Sequence, residues 1–446
     1  MGTVSLPDRR WPGLAMPGRM EFAPSVGWFC LMALPLACQY PAMHPLARDL
    51  QMGLVAVVTI LMLAADWLAY RIGATRRPAT AIVRPGGGLW FIGLCFAGPI
   101  AIHLALMPNY PLLAWLANHD LDYEVLMRMR DASAKFLEVP SLVKYSFNWA
   151  LFIFAPVFIT VSWVHGHRVL AAAALLLAGF YASVTLAKLP LALLLTACVF
   201  ALCVLPNRAR RPLAWVLAVV ALAGSLLAAA IVGFGVMDRL AANTARSAPA
   251  AVADMKADDP RRATSIGDYF RLPVDASSDH RNSLVRGVEY ALYRGWLTPS
   301  DVSNRWYQYY TYVASEPLGL AFLAPGPRSE TTQTPSRLVG VWAYQARFPQ
   351  RYNSSISANA SFDADAFAHA GVAGVAIALL LLVAARVSAA WLLTPGAVSM
   401  GAYGVMLGLL AMLPSSASLQ AIFGANGLAI VPLVLLGTRI ANSRRA

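Results

Sequence analysis

Runs of about twenty apolar residues recur along the chain, and runs of that length fix the fold class before any motif is read. A helix rising about 1.5 Å per residue needs about 20 such residues to cross the hydrocarbon core of a bilayer. Ten runs meet this measure, near residues 24–42, 50–71, 87–107, 145–164, 168–186, 188–206, 212–236, 366–386, 390–413 and 418–438. The composition agrees: 58% of the 446 residues are hydrophobic, 13% are charged, and mean hydropathy is +0.57. A soluble domain averages roughly 45–50% apolar and about 25% charged residues. A cytosolic enzyme and a disordered chain are both excluded. The expected fold is an all-α integral membrane protein of about ten transmembrane helices.

Charge places the loops. The short connections carry Arg71, Arg76, Arg77 and Arg84 between spans two and three, and Arg208, Arg210 and Arg211 between spans six and seven. Arg439, Arg444 and Arg445 end the chain, and Arg9, Arg10 and Arg19 precede the first span. Ten alternating spans put all of these on one face, and lysine and arginine in short loops mark the cytoplasmic side. N- and C-termini are therefore expected on the cytoplasmic face of the membrane. The segment 108–144 has 4 Lys/Arg against 5 Asp/Glu, and residues 237–364 have 14 against 12. Nearly all of the formal charge of +13 therefore belongs to the inner flanks. Its partner is anionic membrane lipid, not nucleic acid.

Three regions follow: an N-terminal bundle of about seven spans over 1–236, a large periplasmic loop over 237–365, and a three-span segment over 366–446. Spans five and six nearly touch at Ala187-Lys188-Leu189-Pro190, which demands a tight helical hairpin. The large loop is uneven. Residues 243–280 are rich in Ala, Ser, Asp and Pro, whereas 281–323 concentrate Tyr290, Tyr293, Trp296, Trp306, Tyr307, Tyr309, Tyr310 and Tyr312 among Arg286, Arg294 and Arg305. Leu284, Val288 and Leu292 recur at helical spacing, so an ordered helical layer is expected, resting on the membrane or roofing a cavity. The sequence shows no internal repeat and no matched pair of broken helices, the usual pointer to an inverted-repeat transporter.

Few residues carry chemistry. Cys30, Cys38, Cys95, Cys198 and Cys203 all lie in apolar runs without metal-ligand spacing, so no metal and no cofactor are expected. Pro35-Leu36-Ala37-Cys38 departs from a lipoprotein cleavage box, so the first span reads as a retained segment. Asp66 lies near Arg71 and reads as a carboxylate snorkelling to the inner interface. Arg48 and His103 read as outer-interface residues facing water, and His165 and His167 as residues of a surface turn. Lys188 stands among Ala, Leu and Pro on the outer side, where an ammonium suits a phosphate or simply reaches water. Trp306, Tyr309 and Tyr310 can stack on sugars or anchor the interface, and arginine forks clamp diphosphates. Asn353 to Asp365 supplies small hydroxyl and amide groups, Asn359 among them, before a helix opens. Asp363 or Asp365 can cap that helix, and His369 follows Asp365 at i, i+4, a spacing that suits a general-base pair. Gly371 and Gly374 read as seats for close helix–helix packing.

Three stretches in this order resemble the Wzy-type oligosaccharide repeat-unit polymerases that build O-antigen and exopolysaccharide. They are Lys188-Leu189-Pro190 opening a span; Arg294-Gly295-Trp296-Leu297-Thr298-Pro299 with Tyr309-Tyr310 after it; and Asn359 to Gly374, in which Asp365, Phe367, Gly371 and Gly374 fit the pattern. The likeness covers about 180–385, and His369 stands where the pattern expects asparagine.

The resemblance implies a membrane-embedded glycosyltransferase of the GT-C type. Its donor and acceptor would both be undecaprenyl-diphosphate-linked oligosaccharides at the periplasmic face, with undecaprenyl diphosphate leaving. Lys188, Arg286 and Arg294 would hold the diphosphate. Asp365, with His369 or Asp363, would serve as base, and Trp306, Tyr309, Tyr310 and Asn359 would hold sugars. A chain-length regulator is a further partner of such an enzyme. An O-antigen ligase shares the chemistry, while a transporter or flippase and a non-catalytic scaffold are the readings from other classes.

Overall fold

The computed structural model describes residues 20–40, 43, 45–74, 88–118, 121, 123–135, 140–185, 188–205, 296–314, 335–344 and 360–443. The described residues are helical, with no strand among them. Among the described residues, four helices are long and apolar enough to cross a membrane: Ala47–Gly73, Gly88–Leu106, Leu142–Val164 and Phe362–Leu392. Five shorter apolar helices coincide with other expected runs: Ala23–Gln39, Arg168–Val184, Pro190–Val204, Ala397–Met412 and Ile430–Ala441. The run 212–236 lies outside the described residues, as does the helical spacing at Leu284, Val288 and Leu292.

In chain order, α1 is Ala23–Gln39, α2 Pro45–Ala74, α3 Gly88–Leu106, α4 Pro111–Ala117 and α5 Tyr123–Lys135. Helix α6 is Leu142–Val164, α7 Arg168–Val184 and α8 Lys188–Val204; the last two form the expected hairpin. Helices α9 (Thr298–Tyr312) and α10 (Pro335–Tyr344) lie between α8 and α11 in the chain. Helix α11 is Phe362–Leu392, α12 Ala397–Met412 and α13 Ile430–Ser443.

Helix α12 is the axis of the bundle. Every residue from Ser399 to Ala411 is buried, as an apolar helix without a polar face must be when other helices surround it. Small residues let α8 lie against it. A Cβ on Gly404 would stand 2.6 Å from the Ala201 α-carbon, and one on Gly408 would stand 3.3 Å from that of Ala197. In lipid, where tails are as apolar as leucine, such backbone approach drives helix association. Large side chains fill the remaining space, including Trp28, Met32 and Leu36 of α1, Phe96 and Ile100 of α3, and Leu193 and Leu194 of α8.

Two helices carry π turns: Phe29–Ala33 in α1 and Ala150–Phe154 in α6. Each is followed closely by a proline, Pro35 or Pro156, whose missing N–H removes a bond from the ladder. The turn in α1 has a use: the Trp296 indole donates to the Cys30 carbonyl at 2.7 Å.

Helix α11 is not straight. Ala370 (φ −149°, ψ 27°) and Gly371 (φ +58°, ψ −145°) break it, leaving arms 362–369 and 372–392. The second arm alone spans about 30 Å at the ordinary rise, enough to cross a bilayer. The first arm is a short helix folded back on it. Residues eight apart stand about 12 Å apart in a straight helix. Here a Cβ on Gly374 would meet the Ala366 carbonyl oxygen well inside 3.0 Å. Gly371 and Gly374 therefore shape a turn within α11, not the helix–helix seat expected for them.

Asp66 also differs from expectation. It is 1% exposed and pairs with Arg386, whose Nε donates to Oδ1 at 3.0 Å, while the Ser25 backbone N–H donates to Oδ2 at 2.9 Å. Arg386 also binds Glu21 and the Tyr403 hydroxyl. An aspartate that snorkels keeps its head in water; this one is held inward by a cation that the sequence reading did not pair with it. The cluster ties α1, α2, α11 and α12 together at one end of the bundle. His103 likewise turns inward: it is half-buried, stacked on Phe147 at 4.4 Å and bonded to Tyr181. Arg48 does keep to the rim, lying 4.6 Å above the Tyr40 ring with Nε 3.3 Å from Asp49.

Candidate functional site

The end of the bundle opposite Arg386 carries the candidate site. Helix α1 ends there at Gln39, α2 passes there at Gln51, and the first arm of α11 begins there. Helix α9 lies across all three. Its sequence, Thr-Pro-Ser-Asp-Val-Ser-Asn-Arg-Trp-Tyr-Gln-Tyr-Tyr-Thr-Tyr, is polar or aromatic almost all round, a composition that ordinarily marks a solvated helix. Yet every residue from Ser300 to Gln308 is buried. Burial of so many polar groups is tolerable only if they satisfy one another.

They do so on two faces. Toward α1 and α2, Gln39 Nε2 donates to the Leu297 carbonyl at 3.0 Å and to Ser300 Oγ at 2.8 Å. Asn304 Nδ2 donates to Gln51 Oε1 at 2.8 Å, and Gln308 Nε2 donates to Asn304 Oδ1 at 2.8 Å. Toward α11, the Ser303 and Ser361 hydroxyls lie 2.8 Å apart, and Tyr307 Oη donates to Asp363 Oδ2 at 2.9 Å. Ser361 Oγ donates to the other oxygen of Asp363. Burial, the Asp363 charge and the bond to that carboxylate together push the Tyr307 phenol well above its ordinary value.

Aromatic rings close the layer. Tyr307 packs on Phe367 at 4.7 Å, Trp306 on Tyr310 at 5.9 Å, and Tyr309 stands edge-on to Tyr310 at 5.1 Å and to Trp342 of α10 at 5.5 Å. With Ala47, Val302, Val339, Ala360, Ala364 and Ala368, Trp306 and Tyr307 form a small core of their own, separate from the main one. Over the described part of that stretch, residues 296–314, the expected ordered helical layer is present.

The sequence-derived candidates are distributed as follows. Asp363, Asp365 and His369 share the first arm of α11 and are all buried, at 0%, 7% and 2% exposure. Asp363, two residues past the Ser361 N-cap, takes two hydroxyl donors and so bridges α9 to the start of α11. Asp365 and His369 keep the one-turn spacing that helical geometry gives them, and His369 directly precedes the break. Of the aromatic candidates, Trp306 is core, while Tyr309 and Tyr310 are half-buried at its edge. Lys188 opens α8. Arg286, Arg294 and Asn359 lie outside the described residues.

Sequence reasoning missed the polar partners of α9: Gln39, Gln51, Ser300, Asp301, Ser303, Asn304 and Gln308. A signal for them exists. Gln39 and Gln51 interrupt the ends of two apolar runs, and Ser300, Asn304, Tyr307 and Gln308 recur at three- and four-residue spacing. Arg386, at the end of an apolar run with no acidic neighbour in sequence, gave no such signal for Glu21 or Asp66.

The described residues are thus all-helical, with helices fit to cross a membrane and a buried polar and aromatic layer across one end. Compared with protein-family models, curated proteins and solved structures, it matches none.

Proposed function

We propose that the protein is a membrane-embedded polyprenyl-diphosphate-dependent glycosyltransferase that polymerises lipid-linked oligosaccharide repeat units at the outer face of a bacterial inner membrane. The observation that carries this reading is the union of α9 with the broken start of α11. Two of the three stretches behind the family resemblance, far apart in sequence, meet there in one buried layer through Ser303–Ser361 and Tyr307–Asp363.

In this reading a hydroxyl of the acceptor sugar attacks the donor's anomeric carbon. The bond from that carbon to the diphosphate oxygen breaks, and its electron pair leaves with undecaprenyl diphosphate. Lys188, Arg286 and Arg294 stabilise the charge growing on the leaving group. Asp365 with His369 takes the proton. Tyr309, Tyr310 and Trp306 shape the sugar side, with Asn359. No cofactor enters the reaction.

The lipid-linked glycan profile of a deletion strain tests this. A lost polymerase leaves single repeat units on the carrier. Full-length chains still on the carrier indicate a ligase, and an unchanged profile removes the enzymatic reading. Arg294→Ala and Lys188→Ala should each abolish polymer while the protein still reaches the membrane.

A further inference from the structure

Three arginines at the Arg386 end of the bundle each lie over the face of a tryptophan. Arg71 stands 5.0 Å from the Trp67 ring, Arg168 5.9 Å from that of Trp163, and Arg439 4.3 Å from that of Trp391. The pairs share one end. Trp67 follows Asp66, which Arg386 holds, and Trp391 lies five residues beyond Arg386 on α11. Trp163 comes two residues after Val161, which meets α12 at Gly401, itself two residues from the Tyr403 that binds Arg386. Trp67 and Trp391 are half exposed. Exposed tryptophan under an arginine is how a crossing helix meets lipid headgroups: the ring sits at the interface and the guanidinium reaches past it.

The Trp163–Arg168 pair has a cavity of about 80 Å³ beside it. Trp163 forms part of the wall, with Thr160 of α6, Ala171 and Ala172 of α7, and Leu202 of α8. The lining is apolar throughout; even the Thr160 hydroxyl is turned away, donating to the Pro156 carbonyl at 2.6 Å. Such a space does not suit water, which needs polar partners. Its mouth lies on the outside of the bundle. Ala172 is exposed there, between Val169 and Leu176 of the same helical stripe, which are 85% and 74% exposed. Two methyl side chains, Ala171 and Ala172, leave open what larger ones would close. Arg168 is exposed at the same place, and no carboxylate among the described residues pairs with it. An apolar space open to hydrocarbon, with an uncompensated cation at its rim, is complementary to an anionic amphiphile.

We propose that this cavity binds one anionic phospholipid of the surrounding bilayer, with an acyl chain between α6, α7 and α8 and the phosphate on Arg168. The chain supplies the dispersion contacts that the lining lacks. The headgroup is chosen by charge. A zwitterionic lipid brings its own ammonium to its phosphate, whereas an anionic one leaves the phosphate to the guanidinium fork. The leaflet expected at this end, the cytoplasmic one, is the leaflet rich in anionic lipid. The site lies at the opposite end of the bundle from α9 and does not depend on the glycosyltransferase reading.

The test uses the full-length protein in nanodiscs of phosphatidylcholine mixed with phosphatidylglycerol. Native mass spectrometry identifies the last lipid to leave each protein. For wild type this should be phosphatidylglycerol, and the melt should rise with the phosphatidylglycerol fraction. Arg168→Gln should cut the preference for phosphatidylglycerol about five-fold, the scale of one basic contact with anionic lipid. Arg71→Gln removes the same charge from the Trp67 pair at the same end and should leave the last lipid as in wild type. Ala172→Phe places a ring at the mouth and should abolish the tightly held lipid. Equal losses in Arg168→Gln and Arg71→Gln overturn the site, because charge then attracts lipid to this end without a seat for it. A last lipid unchanged in Ala172→Phe overturns it too, as does a wild type that holds phosphatidylcholine as tightly as phosphatidylglycerol. Should Ala172→Phe fail to fold, the two exposed arginine variants still decide.

Discussion

The α-carbon of Gly374 rests against the carbonyl oxygen of Ala366, eight residues earlier on the same helix. That contact folds the first arm of α11 back and brings Asp363 and Phe367 against Tyr307 of α9. It also gives the Gly371-x-x-Gly374 spacing its physical reason. Gly371 supplies a backbone conformation with positive φ and extended ψ that only glycine adopts without strain, and Gly374 supplies the room.

Gly374→Ala should therefore destabilise the protein by about 1–3 kcal/mol through overpacking against backbone, and Gly371→Ala by a similar ~1–3 kcal/mol through strain. Gly98→Ala is the control, since a Cβ there meets nothing within 4 Å. Thermal melts in detergent check all three. A Gly374→Ala protein that melts with wild type would remove the turn from the account.

The Arg386 cluster should be far less forgiving than the ion pair at the rim. Arg386→Met leaves Glu21 and Asp66 buried without their cation, a loss worth about 3–5 kcal/mol in comparable sites. Arg48→Met breaks a pair whose aspartate is 64% exposed, where water screens the attraction, so its melt should stay near wild type. Replacing Glu21, Asp66 and Arg386 together by apolar residues should recover most of the Arg386→Met loss. Melting temperatures of the four proteins decide.

Hydropathy sufficed for a helical fold with membrane-crossing helices and for the α7–α8 hairpin, and aromatic clustering for an ordered layer at α9, because lipid imposes length and composition on every crossing helix. What they could not show was which polar residues meet. Asp66 had Arg71 five residues away and Arg386 320 residues away in sequence, and only packing chooses between them. The same holds for α9. Its polar surface reads as solvated until Gln39, Gln51, Ser361 and Asp363 are brought to it, and each comes from a different part of the chain. The bend at Gly371 hid for another reason: its two glycines fit close helix packing equally well on sequence grounds.

Tyr307 ties alkaline stability to the site. Its phenol is pushed up in the folded protein and returns to about 10 when the chain unfolds. The folded state thus holds that proton more tightly, so its contribution is complete below about pH 10 and falls away as pH rises beyond it. Tyr307→Phe should flatten the alkaline fall of the melting temperature. It should leave unchanged the number of tyrosines that titrate near their ordinary value by ultraviolet absorbance. A phenol lost from that ordinary class in Tyr307→Phe would contradict the buried bond to Asp363.

The two aspartates of α11 should separate by what each substitution damages. Asp363 accepts from Tyr307 and Ser361 and is fully buried, so Asp363→Asn presents an amide to two hydroxyl donors and replaces charge-assisted bonds by weaker ones. Hydrogen bonds to charged groups contribute about 1.5–3 kcal/mol, and a melt lowered on that scale is expected, with activity falling only as far as the folded fraction falls. Asp365 lies one turn from His369, and under the proposed reaction Asp365→Asn removes the base while leaving the helix and its cap in place. Its melt should stay near wild type while polymer synthesis in membranes drops about a hundred-fold or more, the usual contribution of a positioned base. Measuring both quantities on both variants separates the roles. If Asp365→Asn only lowers the melt and polymer length follows the folded fraction, Asp365 is a second structural carboxylate and the base lies elsewhere. If both variants are mild in both assays, capping is the whole role of the pair.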